Sequence, residues 1–483
     1  MESNGRKAPC ESRTYRQGAS FRSTKRGSRL TGSRKESAKA LYAVLAAAFI
    51  VAALLWANRF EAGGAGETLA GSQADDRSAT DPVSGEESEH NPNAEEQPEL
   101  SAAPSAAPTA EPAKEPEPVP SPSEPSVQAD IPSLAETFAD DFPIGAAIEP
   151  FQTEGPKAEL LKKHVNWLVA ENVMKPDAIQ PSEGTFKWTN ADRIVAFAKE
   201  NGMALRFHTL VWHSQVGAWF FKDAEGRPMA DETDPAKREA NKKLLLERLD
   251  AHVRTIVDRY KDDIASWDVV NEVIEPADPD GMRASDWYNI AGTDFIATAF
   301  RAAREAGGPD IKLYINDYGT DNPRKRDLLY ELVKRLLDEG VPIDGVGHQT
   351  HIDVHGPSVD AIIASMRKFA ELGLDNIVTE LDMSVYAWND RRDFGADIPE
   401  DVIELQAKRY GELFRAFRDN KAILSGVVFW GIADDHTWLN GFPVKRTNAP
   451  LLFDRNDQAK PAFWSVIGIS SHSRKQLGEK EQR

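Results

Sequence analysis

From Phe142 to Gly431 eight short apolar runs recur along the chain, and nearly all of them finish in polar or charged residues. They are Phe142 to Ile148, His164 to Asn172, Met203 to Leu210, Ser266 to Glu272, Lys312 to Tyr318, Gly345 to Ile352, Asn376 to Asp382 and Gly426 to Gly431. Between them lie segments such as Asn241–Tyr260, Arg326–Gly340 and Asp401–Phe417, whose apolar residues fall at three- and four-residue spacing, the period of a helix with one buried face. Strand and helix thus alternate eight times. The predicted fold class is α/β, a (β/α)8 TIM barrel over residues 131–470. In such a barrel the βα loops meet at the carboxyl ends of the strands, so the active site must lie there.

Two of these strand ends carry a glutamate. Glu272 follows Asn271 after the run Trp267-Asp268-Val269-Val270, and Glu380 follows Ile377-Val378-Thr379. Closure of a barrel brings residues this far apart in sequence to one cleft. Two carboxyl groups there can divide the breaking of a glycosidic bond, one protonating the departing oxygen and the other attacking the anomeric carbon. A lone strand-end glutamate is as readily a solvated charge or a structural ion pair; two, with aromatic and amide neighbours, favour chemistry. The histidines His208, His213, His351 and His355 do not have zinc spacing and no H-E-x-x-H pattern occurs, so neither a metal nor another cofactor is expected.

Eight segments, in order, resemble glycoside hydrolase family 10, the endo-1,4-β-xylanases. They are Glu171-Asn172-Val173-Met174-Lys175-Pro176, His208 to Gln215, Trp267 to Glu272, Ile315 to Tyr318, Gln349-Thr350-His351, Thr379 to Asp382, Phe429-Trp430-Gly431 and Asp435 to Leu439. The resemblance implies a retaining enzyme that hydrolyses internal bonds of xylan, with Glu272 as acid/base and Glu380 as nucleophile. It further implies Asn271 on the 2-hydroxyl of the attacked sugar, His351 against the nucleophile, and Asp382 orienting that imidazole. Glu171, Asn172, Lys175, His208 and Gln349 match the sugar-binding positions on the glycone side, and Trp212, Trp430 and Trp438 the apolar platforms and walls. Tyr318 is divided between a contact on the leaving-group side and barrel packing. The physics adds that Glu272 must be protonated while Glu380 is ionised, and the charge of Glu380 is expected to raise Glu272. Two positions depart from the family pattern: Phe207 stands where glycine is common and Thr350 where serine is usual, and the first is expected to shift packing behind His208. The alternatives are a hydrolase of another β-1,4-glycan, or a tethered protein that binds polysaccharide without cutting it, for which the loss of one carboxylate would be expected.

Upstream of the barrel the composition changes sharply. Residues 1–39 hold eleven Lys and Arg against three Glu, a basic tail that cannot bury enough apolar surface to fold. Ala40 to Ala57 follows, eighteen residues without a charge, long enough to approach the thickness of a hydrocarbon core. Basic residues before it and few after predict a single-pass signal anchor with the amino terminus cytoplasmic and the catalytic domain extracellular. The other reading is a signal peptide cleaved near Ala62-Gly63-Gly64 and a secreted enzyme. Residues 61–130 contain no aromatic residue and sixteen acidic against two basic ones, an acidic, Pro-rich, disordered linker. Residues 471–483 read as a polar tail. A net charge of -19 excludes nucleic acid as a natural partner. The single cysteine, Cys10, allows no intramolecular disulfide, so the fold must stand on packing alone; separately, a monomeric catalytic domain is expected.

Overall fold

The computed structural model describes residues 127–468. The basic tail, the apolar segment 40–57, the linker up to residue 126 and the tail 471–483 lie outside the described residues. Among the described residues no helix is long and apolar enough to cross a membrane.

Nine strands form one parallel sheet: β1 (Ile144–Ile148), β2 (Trp167–Ala170), β3 (Ala204–Val211), β4 (Ser266–Asn271), β5 (Lys312–Asp317), β6 (Gly345–His348), β7 (His351–Asp353), β8 (Asp375–Ser384) and β9 (Val427–Phe429). Pairing of β1 with β9, and of β6 with β8, closes eight of them into a barrel. The short β7 lies outside that ring and pairs only with the far end of β8. All eight apolar runs overlap a barrel strand. The sixth differs from expectation by breaking at Gln349-Thr350, where Thr350 takes a left-handed φ of 61°. A chain reversed in this way cannot continue the ladder, and it turns the Gln349 and His351 side chains into the cleft.

The helices begin where local chemistry can start them. Asp234 caps Pro235–Tyr260 by accepting from Lys237 N, Asn322 caps Pro323–Asp338 through Arg324 N and Lys325 N, and Ser358 caps Val359–Ala370 through Ala361 N. Their apolar faces and the outward faces of the strands form one continuous core. At the entrance to the domain Val127 packs on that core and Gln128 Oε1 accepts from Ala459 N at 2.8 Å, so packed chain extends back to Val127.

The lumen of the barrel is divided. On one side Ala147, Val169, Val428 and Trp430 make a small apolar cluster separate from the main core. Register carries the inward row from Val169 to Arg206, then to Ser266, and from His208 to Asp268. The opposite side is therefore polar: Arg206 donates to Ser266 Oγ at 3.0 Å and to Asp268 Oδ1 at 2.6 Å, and its guanidinium lies 5.1 Å from the Tyr314 ring centre. Gly345 and Gly347 on β6 face this crowd. A methyl group at either would strike Tyr314 or Asn316, which explains two glycines in a central strand. Phe207 points the other way, stacked 5.0 Å from Trp267 in the helix layer, so its bulk does not alter packing behind His208.

Candidate active site

Glu272 and Glu380 end β4 and reach across the carboxyl face of the barrel from β8, and both are buried. A continuous line of side-chain amides joins them. Asn316 Nδ2 donates to Glu380 Oε1 at 2.7 Å and to Asn271 Oδ1 at 2.9 Å. Gln349 Nε2 donates to the same Asn271 oxygen at 3.2 Å and to Glu272 Oε1 at 3.0 Å. The orientation of Asn316 is fixed because Thr379 Oγ1 donates to its Oδ1 at 2.7 Å. Asn271 Nδ2 has only a long 3.3 Å contact with Glu272 and remains available to a ligand hydroxyl. Asn316 received no role from its sequence; the available signal was the register, which sets it beside Asn271 on the neighbouring strand.

Behind Glu380 stands a second polar line. His351 Nε2 lies 3.1 Å from Glu380 Oε2 and its Nδ1 2.9 Å from Asp382 Oδ2, which also accepts from Trp438 Nε1 at 2.7 Å. Burial alone would lower His351, but Asp382 and Glu380 raise it to about 10, so the ring is an imidazolium donating from both nitrogens. On the other side His208 Nδ1 sits 3.1 Å from Asp268 Oδ2 and 3.8 Å from Glu380 Oε1. Asp268 in turn binds the Arg206 guanidinium in the lumen, so both residues support the site although their sequence positions gave no hint of it.

The surroundings of Glu272 differ from expectation. Burial raises its pKa, yet positive charge at His213 and Arg283, with the Gln349 amide as donor, pulls it down to about 2. The expected push from Glu380 is not among the influences that set this value; desolvation and the charges of His213 and Arg283 are the largest. His213 Nδ1 lies 4.0 Å from Glu272 Oε2 and is itself lowered to about 4 by burial and by Arg283. Above that pH it is neutral and most of its pull on Glu272 disappears. Trp212 Nε1 is buried without a hydrogen-bond partner, near the carboxyl but outside bonding geometry.

Glu272 takes a left-handed φ of 58°, a costly conformation for a residue with a side chain. Bonds at both of its peptide groups hold it: Glu272 N donates to Asn316 O at 2.9 Å, and Arg283 Nε donates to Glu272 O at 2.7 Å. The same guanidinium donates to the Tyr318 hydroxyl at 2.8 Å. Lys325 Nζ stands 3.2 Å from the centre of the Tyr318 ring and 2.7 Å from Asp317 Oδ1. Tyr318 is thus partly exposed, with its hydroxyl held by Arg283 and one ring face by Lys325.

The remaining sequence-identified residues gather on the opposite side of the carboxylates. Lys175 Nζ bonds Asn172 Oδ1 and Gln215 Oε1, each at 3.0 Å, and lies 5.0 Å from the Trp212 ring centre and 5.8 Å from that of Trp430. Burial lowers its pKa against the pull of Glu171, Glu380, Glu272 and Glu149. Asn172 Nδ2 donates to Glu149 Oε1 at 2.7 Å, and His436 Nε2 lies 2.7 Å from Glu171 Oε2. Trp430 meets His208 edge-on at 5.2 Å, and Trp438 covers His351 at 4.9 Å and stacks on Phe442. All thirteen positions singled out in the sequence therefore converge on one cleft, joined by Glu149, Gln215, His436 and Arg283. Among the described residues no group of three or more His, Cys, Asp or Glu is arranged to hold a metal ion.

Comparison with known proteins agrees with the barrel fold. The model of glycosyl hydrolase family 10 matches residues 133–469. A thermostable celloxylanase of Thermoclostridium stercorarium is 70% identical over 341 residues, covering 71% of this chain and 88% of that protein. Endo-1,4-beta-xylanase A of Halalkalibacterium halodurans is 56% identical over 344 residues, covering 70% and 86%. Among solved structures, xylanase B from Clostridium stercorarium F9 superposes with a TM-score of 0.69 at 70% identity, covering 70% of this chain and 99% of that one.

Proposed function

This chain belongs to glycosyl hydrolase family 10, and on that premise we propose that it hydrolyses internal β-1,4 bonds of xylan with retention, Glu380 acting as nucleophile and Glu272 as acid/base. The observation that carries the reading is the convergence of two buried carboxylates from β4 and β8 on a shared line of amides. In the first half-reaction a Glu380 oxygen bonds to the anomeric carbon while the bond to the leaving oxygen breaks, and that oxygen takes the proton of Glu272. In the second, Glu272 takes a proton from water, the water oxygen bonds to the anomeric carbon, and Glu380 departs as carboxylate. Asn271 offers the second hydrogen of its Nδ2 to the 2-hydroxyl of the attacked sugar, and His351 and Asn316 hold the attacking carboxylate. Glu380→Ala should abolish turnover and leave the fold intact. Reducing-sugar release from xylan and a proton NMR record of the first product's anomer test the reading, and an inverted anomer would overturn the roles.

A second substrate, a β-1,4-glucan, has specific support in the name of the relative at 70% identity, a celloxylanase. Parallel assays on xylan and cellulose decide how far it extends. We also propose that Ala40–Ala57 anchors the enzyme in the cell membrane with a monomeric catalytic domain outside, spaced from the lipid by the acidic linker 61–130. The charge asymmetry around the apolar segment supports this. Fractionation tests it: enzyme free in the medium with a new amino terminus near Gly64 would replace the anchor by a cleaved leader.

A further inference from the structure

Among the described residues only three large apolar side chains are exposed: Phe151 at 57%, Trp388 at 38% and Trp464 at 47%. Single exposed hydrophobes are ordinary on protein surfaces. Phe151 differs in how firmly it is presented. It lies just after β1, at the carboxyl face of the barrel, in the 3-10 turn Pro150–Thr153. Glu149 and Gln152 close that turn on each other, with Glu149 N donating to Gln152 Oε1 at 2.9 Å and Gln152 N to Glu149 O at 3.0 Å. Gln152 is buried, and Glu149 also accepts from Asn172, so the turn is pinned to the glycone side of the cleft. The phenyl ring meets His436 edge-on at 5.4 Å, and His436 is the residue bonded to Glu171. A sugar chain leaving the cleft past Glu171 therefore reaches Phe151 next.

We propose that Phe151 forms a distal sugar-binding position on the glycone side, its exposed ring stacking on a neutral sugar of the β-1,4 chain beyond those held by Glu171, Asn172 and Lys175. The inference rests on the family-based reading of the cleft given above. The local charge selects a neutral sugar over an acidic one. Each nearby cation is already paired: Lys157 with Asp435 at 2.6 Å, Arg193 with Glu154 at 2.8 Å and His436 with Glu171 at 2.7 Å. A uronate would meet Glu149, Glu154, Glu171 and Asp435 without a free positive partner. A rigid aromatic face, by contrast, gives a sugar ring apolar area at little entropic cost.

The test compares kcat/KM for 4-nitrophenyl β-xylobioside with that for the β-xylotrioside, whose third sugar reaches the distal position. In the natural protein the longer substrate should be favoured. Phe151→Ala should lower the trioside-to-bioside ratio by about 3- to 10-fold, the range expected for one aromatic stacking contact. Phe151→Trp should preserve the ratio, and Trp464→Ala, on the carboxyl-terminal helix, should leave it unchanged. A natural enzyme indifferent to the third sugar, or a Phe151→Ala variant that depresses both substrates equally or neither, overturns the proposal. Failure of the natural protein to cleave either aryl glycoside or xylan would instead remove the functional reading itself, and the proposal with it.

Discussion

Replacing Asn316 by aspartate changes the shape of the site least and its hydrogen-bond logic most. The amide Nδ2 that serves Glu380 Oε1 at 2.7 Å and Asn271 Oδ1 at 2.9 Å becomes an oxygen facing two acceptors, while Thr379 can still donate to the other oxygen. The variant loses one bond to a charged group, about 1.5–3 kcal/mol, and one neutral bond, about 1 kcal/mol, with Glu380 left beside a like charge. If that loss falls on the transition state, kcat/KM near neutrality drops roughly 10²- to 10³-fold. Two carboxyls at this distance cannot both ionise readily and share a proton, so the pair's upper apparent pKa rises above the ordinary carboxylate range. Below it the introduced carboxyl carries the proton and donates again. The variant-to-wild-type activity ratio should therefore recover as pH falls and collapse as pH rises through that value. The assay is kcat/KM on an aryl xylobioside across pH, with circular dichroism to verify folding. A loss under fivefold, or a large loss with no pH dependence of the ratio, refutes the claim that Asn316 orients the nucleophile.

Arg283→Met removes a cation close to Glu272 and the donor to its carbonyl, so the alkaline limb of kcat/KM should move upward while the rate falls about tenfold or more. A pH–rate profile checks it, and an unmoved limb counts against an electrostatic role. His164, His252 and His348 are fully buried and pushed down to about 3, about 4 and about 4 by desolvation. Their folded pKa lies below the unfolded ~6.5, so stability is complete above that pH and is lost as pH falls, each forfeiting about 2 kcal/mol near pH 5. Thermal midpoints at pH 7 and 5 test this; equal midpoints would falsify it, and His164→Leu should lessen the decline. Lys460→Met leaves buried Asp434 and the carbonyls of Ala449 and Leu451 without their donor, a loss of roughly 3–5 kcal/mol measurable by urea unfolding.

The barrel was legible because strands covered by helices on one face keep apolar residues recurring along each run, and each run overlaps an observed strand. Helix starts were less visible. Pro235–Tyr260 begins before the periodic stretch at Asn241, because its first turn is polar and set by the Asp234 cap rather than by burial. The residues proposed for catalysis and sugar binding could be singled out because they sit at strand ends within recognisable segments. Asn316, Arg206 and Asp268 could not, since their roles depend on which residue of the next strand lies beside them. Registers such as Asn271 with Asn316 and His208 with Asp268 appear only when the sheet closes. Arg283 was hidden for another reason: it acts through a backbone carbonyl, which leaves no signature in side-chain chemistry.

The low pKa of Glu272 bears on both halves of the acid/base role proposed for it. As base toward water it must be a carboxylate, and the charge of Arg283 with the Gln349 amide favours that state. As acid it must hold a proton, and the influences that can change with substrate are those open to the cleft. His213 is neutral above about pH 4, and a bound sugar excludes the water that would otherwise solvate the carboxylate. Arg283 is the fixed influence, tied to the backbone of the residue it acts on. The strained φ of Glu272 follows from the same arrangement: one guanidinium sets the direction of the peptide, the resting charge of the carboxyl and the position of the Tyr318 hydroxyl. The charge state of Glu272 and the position of the Tyr318 hydroxyl are thereby coupled through a single side chain.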